Sequence, residues 1–174
     1  MSSDAAAAAP RAPRPTIIGP DTANIPVTGV PWIEGAESGV YFGYASLHLP
    51  ASHPDLSSSS SNNWRTFPMV MSIGYNPFYK NTVRSAEVHV LHSFATDFYG
   101  SWMRVSVSGF IRRELDYVDV ESLIRDIRVD CEVARRSLER EAWGPGKEEK
   151  WLEGEGWSES ESRSGVKSSG ESKV

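Results

Sequence analysis

The sequence predicts a mainly β fold: a small antiparallel barrel with one α-helix packed on its outside near the C-terminus. Two observations carry this prediction. Runs rich in aromatic and β-branched residues recur between Gly39 and Arg112, separated by clusters of Pro, Ser, Asn and Gly. From Asp119 onward the apolar residues change period, from alternation to the spacing of a helix. Strands followed by a single amphipathic helix bury their apolar faces when the sheet curls on itself and the helix covers part of the outside.

The elements follow in chain order. Met1 to Pro15 is Ala, Pro and Ser without periodicity, too poor in buriable surface to offset the entropy of ordering it, so residues 1–15 are expected to be a disordered arm. The barrel and helix are expected over residues 16–143. Arg14 to Asp21 has two apolar residues between prolines and is too broken for a central strand. Thr22 to Pro26 is extended, and Gly39 to Leu49 reads as a strand. Pro50 to Arg65 is a polar loop around the serine block Ser57 to Ser61, expected to be mobile and to carry no chemistry. Thr66 to Tyr75 is an apolar strand that Asn76-Pro77 stops, since Pro77 cannot donate to a ladder and Asn76 can close an Asx-turn. Ala86 to His92 is the next strand. Trp102 to Arg112 opens with strict alternation, Met103, Val105 and Val107 against Arg104, Ser106 and Ser108. Phe98, Trp102 and Tyr75 are candidate core residues.

Val120, Leu123, Ile124, Ile127, Cys131, Ala134 and Leu138 then form one apolar helical stripe. Asp119 is a suitable N-cap, Glu121 sits in the first turn, and Arg135, Arg136 and Arg140 crowd the far end, where the helix dipole favours cations. Gly144-Pro145-Gly146 stops the helix. Residues 144–174 are Glu, Lys, Gly and Ser around Trp151 and Trp157, which have no periodic company, so this acidic tail is expected to be disordered.

The net charge of −5 lacks the basic stripe that a nucleic-acid groove requires, so no nucleic-acid partner is expected. Cys131 is the single cysteine, which excludes an internal disulfide and suits a reducing compartment; on the helical stripe it reads as a core residue. No apolar run reaches the length of a membrane span. The expectation is a monomer in the cytoplasm, with Arg11 and Arg14 leaving a mitochondrial transit segment as the alternative.

Two pairs carry candidate chemistry. In an extended chain Glu87 and His89 share one face while Val88 and Val90 take the other, so a carboxylate stands beside an imidazole above an apolar face. A general base is held in this way on a rigid strand. On spacing alone such a pair more often lines a solvated strand face. Thr22 and Asn24 likewise point one way, and a hydroxyl with an amide oxygen suits a hard cation such as Mg²⁺, although a turn-forming pair is the commoner meaning.

The motifs Ser72-Ile-Gly-Tyr-Asn-Pro-Phe-Tyr-Lys-Asn81, Ser85-Ala-Glu-Val-His-Val-Leu-His92, Asp97-Phe-Tyr-Gly100, Gly109-Phe-Ile-Arg112 and Val120-Glu-Ser-Leu-Ile124 resemble riboflavin kinase of the eukaryotic, monofunctional type, over Thr22 to about Glu141. The resemblance implies a six-stranded antiparallel barrel with a C-terminal helix. It implies phosphoryl transfer from ATP to the terminal ribityl hydroxyl of riboflavin, giving FMN, with Mg²⁺ or Zn²⁺ beside the phosphates. By motif it puts Glu87 at the catalytic carboxylate and Thr22 and Asn24 at the metal-holding residues. Val90, His92 and Tyr99 fall at nucleotide contacts, and Arg112, Leu115 and Tyr117 on the flap over the flavin. His89 remains an orienting or packing residue.

The chain departs from that pattern ahead of Thr22. Where the family carries an opening strand and a glycine-rich, lysine-containing phosphate loop, Arg14 to Asp21 runs straight into Thr22, and Asp21 stands for the motif's proline. Loop N–H groups and a lysine stabilise phosphate charge, and the missing strand leaves a barrel edge unpaired. Three expectations follow: an active kinase, an inactive module that still binds flavin, or an unstable truncated product. Arg113 stands where the family favours proline.

Overall fold

The computed structural model describes residues 7–8, 22–56, 62–75, 84–98, 100–156 and 158. Its strands are β1 (Ala7–Ala8), β2 (Thr22–Ile25), β3 (Gly39–His48), β4 (Trp64–Gly74), β5 (Ser85–Val90) and β6 (Trp102–Arg113). They form one antiparallel sheet in the order β1-β6-β3-β4-β5-β2. The short helix α1 (Pro31–Gly35) joins β2 to β3, and α2 (Val120–Leu138) and α3 (Glu149–Leu152) follow β6. The mainly β architecture with a covering C-terminal helix is the one the sequence predicts. β1 adds a two-residue pairing to β6 at Arg104 and Met103, within the arm read as disordered. The rest of that arm, and the Asn76-Pro77 turn, lie outside the described residues.

Period-two alternation builds the core. Ala45 and Leu47 of β3, Met69 and Met71 of β4, and Val88 and Val90 of β5 all point inward and are buried. Met103 and Val105 of β6 join them. Gly43 is required by close approach, because a Cβ there would run into the Ser106 carbonyl, beside the register shift that lets β6 bend around β3. Tyr75, a candidate core residue, is instead half exposed at the end of β4, whereas Phe98 is buried.

The outer face of the sheet is divided. α2 covers Val40, Phe42 and Val70 with Cys131 and Ala134, as its apolar stripe requires. The Asp119 carboxylate caps the helix, accepting from the Ser122 N–H at 2.7 Å and the Ser122 hydroxyl at 2.9 Å. The backbone N–H of Ser122 first, and its hydroxyl second, hold the Asp119 carboxyl below its usual value.

A second territory belongs to the chain after α2, where the described residues 144–156 of the tail read as disordered are folded onto the sheet. Residues Gly146–Glu148 form a 3₁₀ turn that leads into α3, and Leu152 is fully buried. The Ser46 hydroxyl donates to the Leu152 carbonyl at 2.5 Å and the Ser106 hydroxyl to the Glu148 carboxylate. The Arg104 guanidinium lies between the Trp64 and Trp151 rings, 4.6 and 4.7 Å from their centroids, and donates to the Trp151 and Glu155 carbonyls. Burial lowers the Arg104 pKa from its ordinary value. Arg104 and Ser106, the polar side of an alternating strand, are therefore covered by protein. Composition hid this docking because the segment is polar overall, and its anchors are two apolar side chains, backbone carbonyls and the one carboxylate of Glu148. Residues 157 and 159–174 lie outside the described residues.

Two outcomes are expected. Leu152→Ala costs about 2–5 kcal/mol of stability by urea unfolding, the range for a buried leucine truncation. The Asp119 carboxyl has a folded value below 3.8, so its contribution is present above that pH and is lost as pH falls through the folded value. The gap in urea midpoint between the parent and Asp119→Ala therefore closes on acidification below pH 3.8.

Candidate active site

The third territory of the outer face holds Glu87, His89, Thr22 and Asn24, and register brings them together with Arg112. Arg112 pairs with Val40, Val40 with Ser72, Ser72 with Glu87, and Glu87 with Asn24, a continuous cross-strand row from β6 to the edge strand β2. The next row runs Phe42, Val70, His89 and Thr22. Partners in a row share a face, so Glu87, His89, Asn24 and Thr22 form a two-by-two patch with neighbouring strands roughly 4.8 Å apart. The buried Thr22 hydroxyl lies 3.4 Å from His89 Nδ1, which ties the second row together. Glu87 and Asn24 are half-buried, between the α2 territory and β2.

These oxygens suit a hard cation: a threonine hydroxyl and an asparagine amide beside a carboxylate. Among the described residues no group of three or more His, Cys, Asp or Glu is placed to hold a metal. A Thr/Asn pair lies outside that criterion, and a cation shared with substrate phosphates needs few protein ligands.

The flap begins where β6 ends. Arg112 donates through Nε to Asp130 Oδ1 at 2.9 Å and through Nη2 to Asp130 Oδ2 at 2.7 Å, a bidentate pair with the carboxylate 4% exposed. Arg112 Nη2 also donates to the Tyr117 hydroxyl at 2.9 Å, which donates to Asp126 Oδ2 at 3.0 Å. Burial lowers the Arg112 value, and the hydrogen bond and charge of Asp130 more than reverse this, so the guanidinium is held charged. Burial pushes the Asp130 carboxyl up, and Arg112 opposes it. The fork to both oxygens favours the charged pair. Burial, then the hydrogen bond to Asp126, raises the Tyr117 phenol. Leu115 is 48% exposed. Glu114 crosses back over Gly74, where any Cβ would strike its carboxylate. The flap thus sits beside the Glu87 row, over the neighbouring Gly74–Ser85 pair.

The nucleotide candidates are separated. The Val90 side chain points into the core, fully buried, which leaves only its backbone to meet a ligand. His92 lies just past β5, stacked on Phe67 with centroids 4.6 Å apart. Tyr99 and residues 9–21, which include the join ahead of Thr22, lie outside the described residues. Arg113, at the family's proline position, is exposed and paired with Glu37 at 2.7 Å.

Sequence reasoning missed Asp126, Asp130 and Glu114. The two aspartates stand four apart on α2 beside the apolar stripe, a position from which an acid reaches the neighbouring strand, and this spacing was the available signal.

The fold has a solved counterpart. The crystal structure of riboflavin kinase from Trypanosoma brucei superposes with a TM-score of 0.64 over 88% of this chain and 91% of that one, at 20% identity. Sequence comparison goes further. Residues 13–138 match the flavokinase family, described as riboflavin kinase, so the match begins ahead of Thr22. The chain is 53% identical over 158 residues to riboflavin kinase of Chaetomium globosum, covering 74% of this chain and 67% of that protein. It is 58% identical over 131 residues to that of Pyricularia oryzae, covering 74% and 66%. It spans about two thirds of the length of these relatives. The chain belongs to the riboflavin kinase family.

Removing Arg112 leaves a carboxylate buried without its cation. Arg112→Gln is expected to cost about 3 kcal/mol by chemical denaturation. Arg113→Gln, from an ion pair whose partners are 80% and 57% exposed, is expected to change stability by less than about 0.5 kcal/mol.

Proposed function

We propose that this chain phosphorylates riboflavin at its terminal ribityl hydroxyl with ATP, giving FMN and ADP. The observation that carries the reading is the cross-strand row in which Glu87 stands between Ser72 and Asn24, with Thr22 diagonal to it. Phosphoryl transfer demands little covalent chemistry of a protein and much positioning, which a rigid antiparallel sheet supplies.

Glu87 is the general base. As the ribityl oxygen bonds to the γ-phosphorus, its proton passes to the Glu87 carboxylate; the bond from phosphorus to the bridging oxygen breaks, and ADP leaves with that oxygen. Thr22 and Asn24 would hold Mg²⁺, or Zn²⁺ in its place. Bound there, the cation offsets the charge of the nucleotide phosphates. Val90, through its backbone, His92 and Tyr99 contact the nucleotide. Arg112, Leu115 and Tyr117 close over the flavin, with the Asp130 and Asp126 contacts fixing how far Arg112 and Tyr117 reach. His89 orients Thr22 through their 3.4 Å contact. We place this activity in the cytoplasm, where a lone cysteine stays reduced, and in a monomer.

The test is FMN formation by purified protein with riboflavin, ATP and Mg²⁺. The parent is expected to turn over, and Glu87→Gln to lose about 10²- to 10⁴-fold in kcat, the usual worth of a positioned base. Undiminished turnover in Glu87→Gln overturns the assignment of the base, and no FMN from the parent overturns the activity itself.

A further inference from the structure

The loop after β3 was expected to be chemically silent, yet its described part is built. The Leu49 N–H donates to the Asn63 carbonyl at 3.0 Å and Leu49 is fully buried. Two turns follow, His53 N–H to Pro50 carbonyl at 2.8 Å and Leu56 N–H to His53 carbonyl at 3.0 Å, with Leu56 packed on the core. This folds Asp55 against the segment that leaves β5.

Its carboxylate faces three groups. Oδ2 accepts the Ala95 N–H at 3.1 Å, which bonds the two loops together, and lies 3.5 Å from His53 Nδ1. Oδ1 lies 3.6 Å from His92 Nε2. That nitrogen is buried and, among the described residues, has no hydrogen-bond partner, and the Asp55 carboxylate is the charge that faces it. The His92 ring is otherwise held by apolar surfaces, stacked on Phe67 and edge-on to Phe94 at 4.7 Å. His53 stiffens the arrangement from below. The Asp55 N–H donates to its Nδ1 at 3.2 Å, which leaves Nε2 to carry the ring proton toward the Thr96 hydroxyl at 3.1 Å and the Asp97 carbonyl at 3.3 Å.

Resting on the reading of His92 as a nucleotide contact, we propose that Asp55 is a positioning residue for the nucleotide, acting through His92. Stacking fixes the plane of an imidazole but still permits the 180° flip about its Cβ–Cγ bond, which keeps the plane and exchanges its edges, whereas a carboxylate facing one nitrogen fixes which edge is presented. The charge at Asp55 supplies that constraint from the loop after β3.

Asp55→Asn is the informative change, because its amide oxygen still accepts the Ala95 N–H while the charge facing His92 is lost. Kinetics and ADP calorimetry are run below the thermal transitions of every variant. Asp55→Asn is expected to raise KM for ATP and Kd for ADP roughly fivefold, with kcat and KM for riboflavin unchanged, and to add nothing when His92 is already Ala. An unchanged ADP affinity, or the same loss repeated on the His92→Ala background, overturns the proposal, the second because the effect would then not pass through His92. A parent that binds ADP but forms no FMN overturns the proposed activity alone, and the calorimetric cycle still decides the role of Asp55. A parent that binds no ADP overturns both.

Discussion

The register of β4 on β5 and of β5 on β2 is the constraint on which the remaining geometry rests. Side chains alternate with a period of two, so a slip of one residue in either pairing would turn Glu87 inward and Val88 outward. Burial prevents the slip. Val88 and Ala86 are fully buried opposite Met71 and Ile73, and exchanging them for Glu87 and His89 would put a carboxylate into an apolar core. The apolar face thereby sets the position of the polar one, and the Glu87, Asn24 and Thr22 patch owes its geometry to residues that take no part in it.

Once register is set, the outside of the sheet becomes a competition for surface. α2 takes the middle of β3 and β4 through Phe42, Val70 and Ala134. The chain after α2 takes the end with Ser46, Arg104 and Ser106. The polar patch toward β2, with Thr22 buried and Glu87 and Asn24 half-buried among the described residues, is bordered by the flap. Arg112 is the joint between these territories, in the same row as Glu87 and yet bonded to α2 through Asp130. Packing of the helix and placement of the flap are one interaction seen from two sides, and a buried charge pair of this kind specifies geometry more than it stabilises the fold.

The far end of β5 is organised on a different principle. Phe67, Phe94 and Phe98 surround His92 and His53 with aromatic surface, and the few polar atoms there are shared among Asp55, Thr96 and the Ala95 and Asp97 backbone. Few groups can move independently in such a cluster, which suits a site that orients a ligand without reacting with it.

How much of this was legible in the chain depends on the range of the physics involved. Alternation and helical spacing are local, so the strands, the α2 stripe, the Asp119 cap and the shared faces of Glu87 with His89 and of Thr22 with Asn24 could be read directly. The motifs then identified the family. Polar composition misled at Gly146–Leu152, where Leu152 and Trp151 dock an otherwise charged segment, and at Asp55, in a loop that reads as filler. Those contacts join residues 37 to 106 positions apart, such as Asp55 with His92 and Ser46 with Leu152, and no local period encodes them. The sequence by itself determined which side chains share a face; only the tertiary structure decided which faces meet, because pairing and docking are chosen by burial summed over the whole chain.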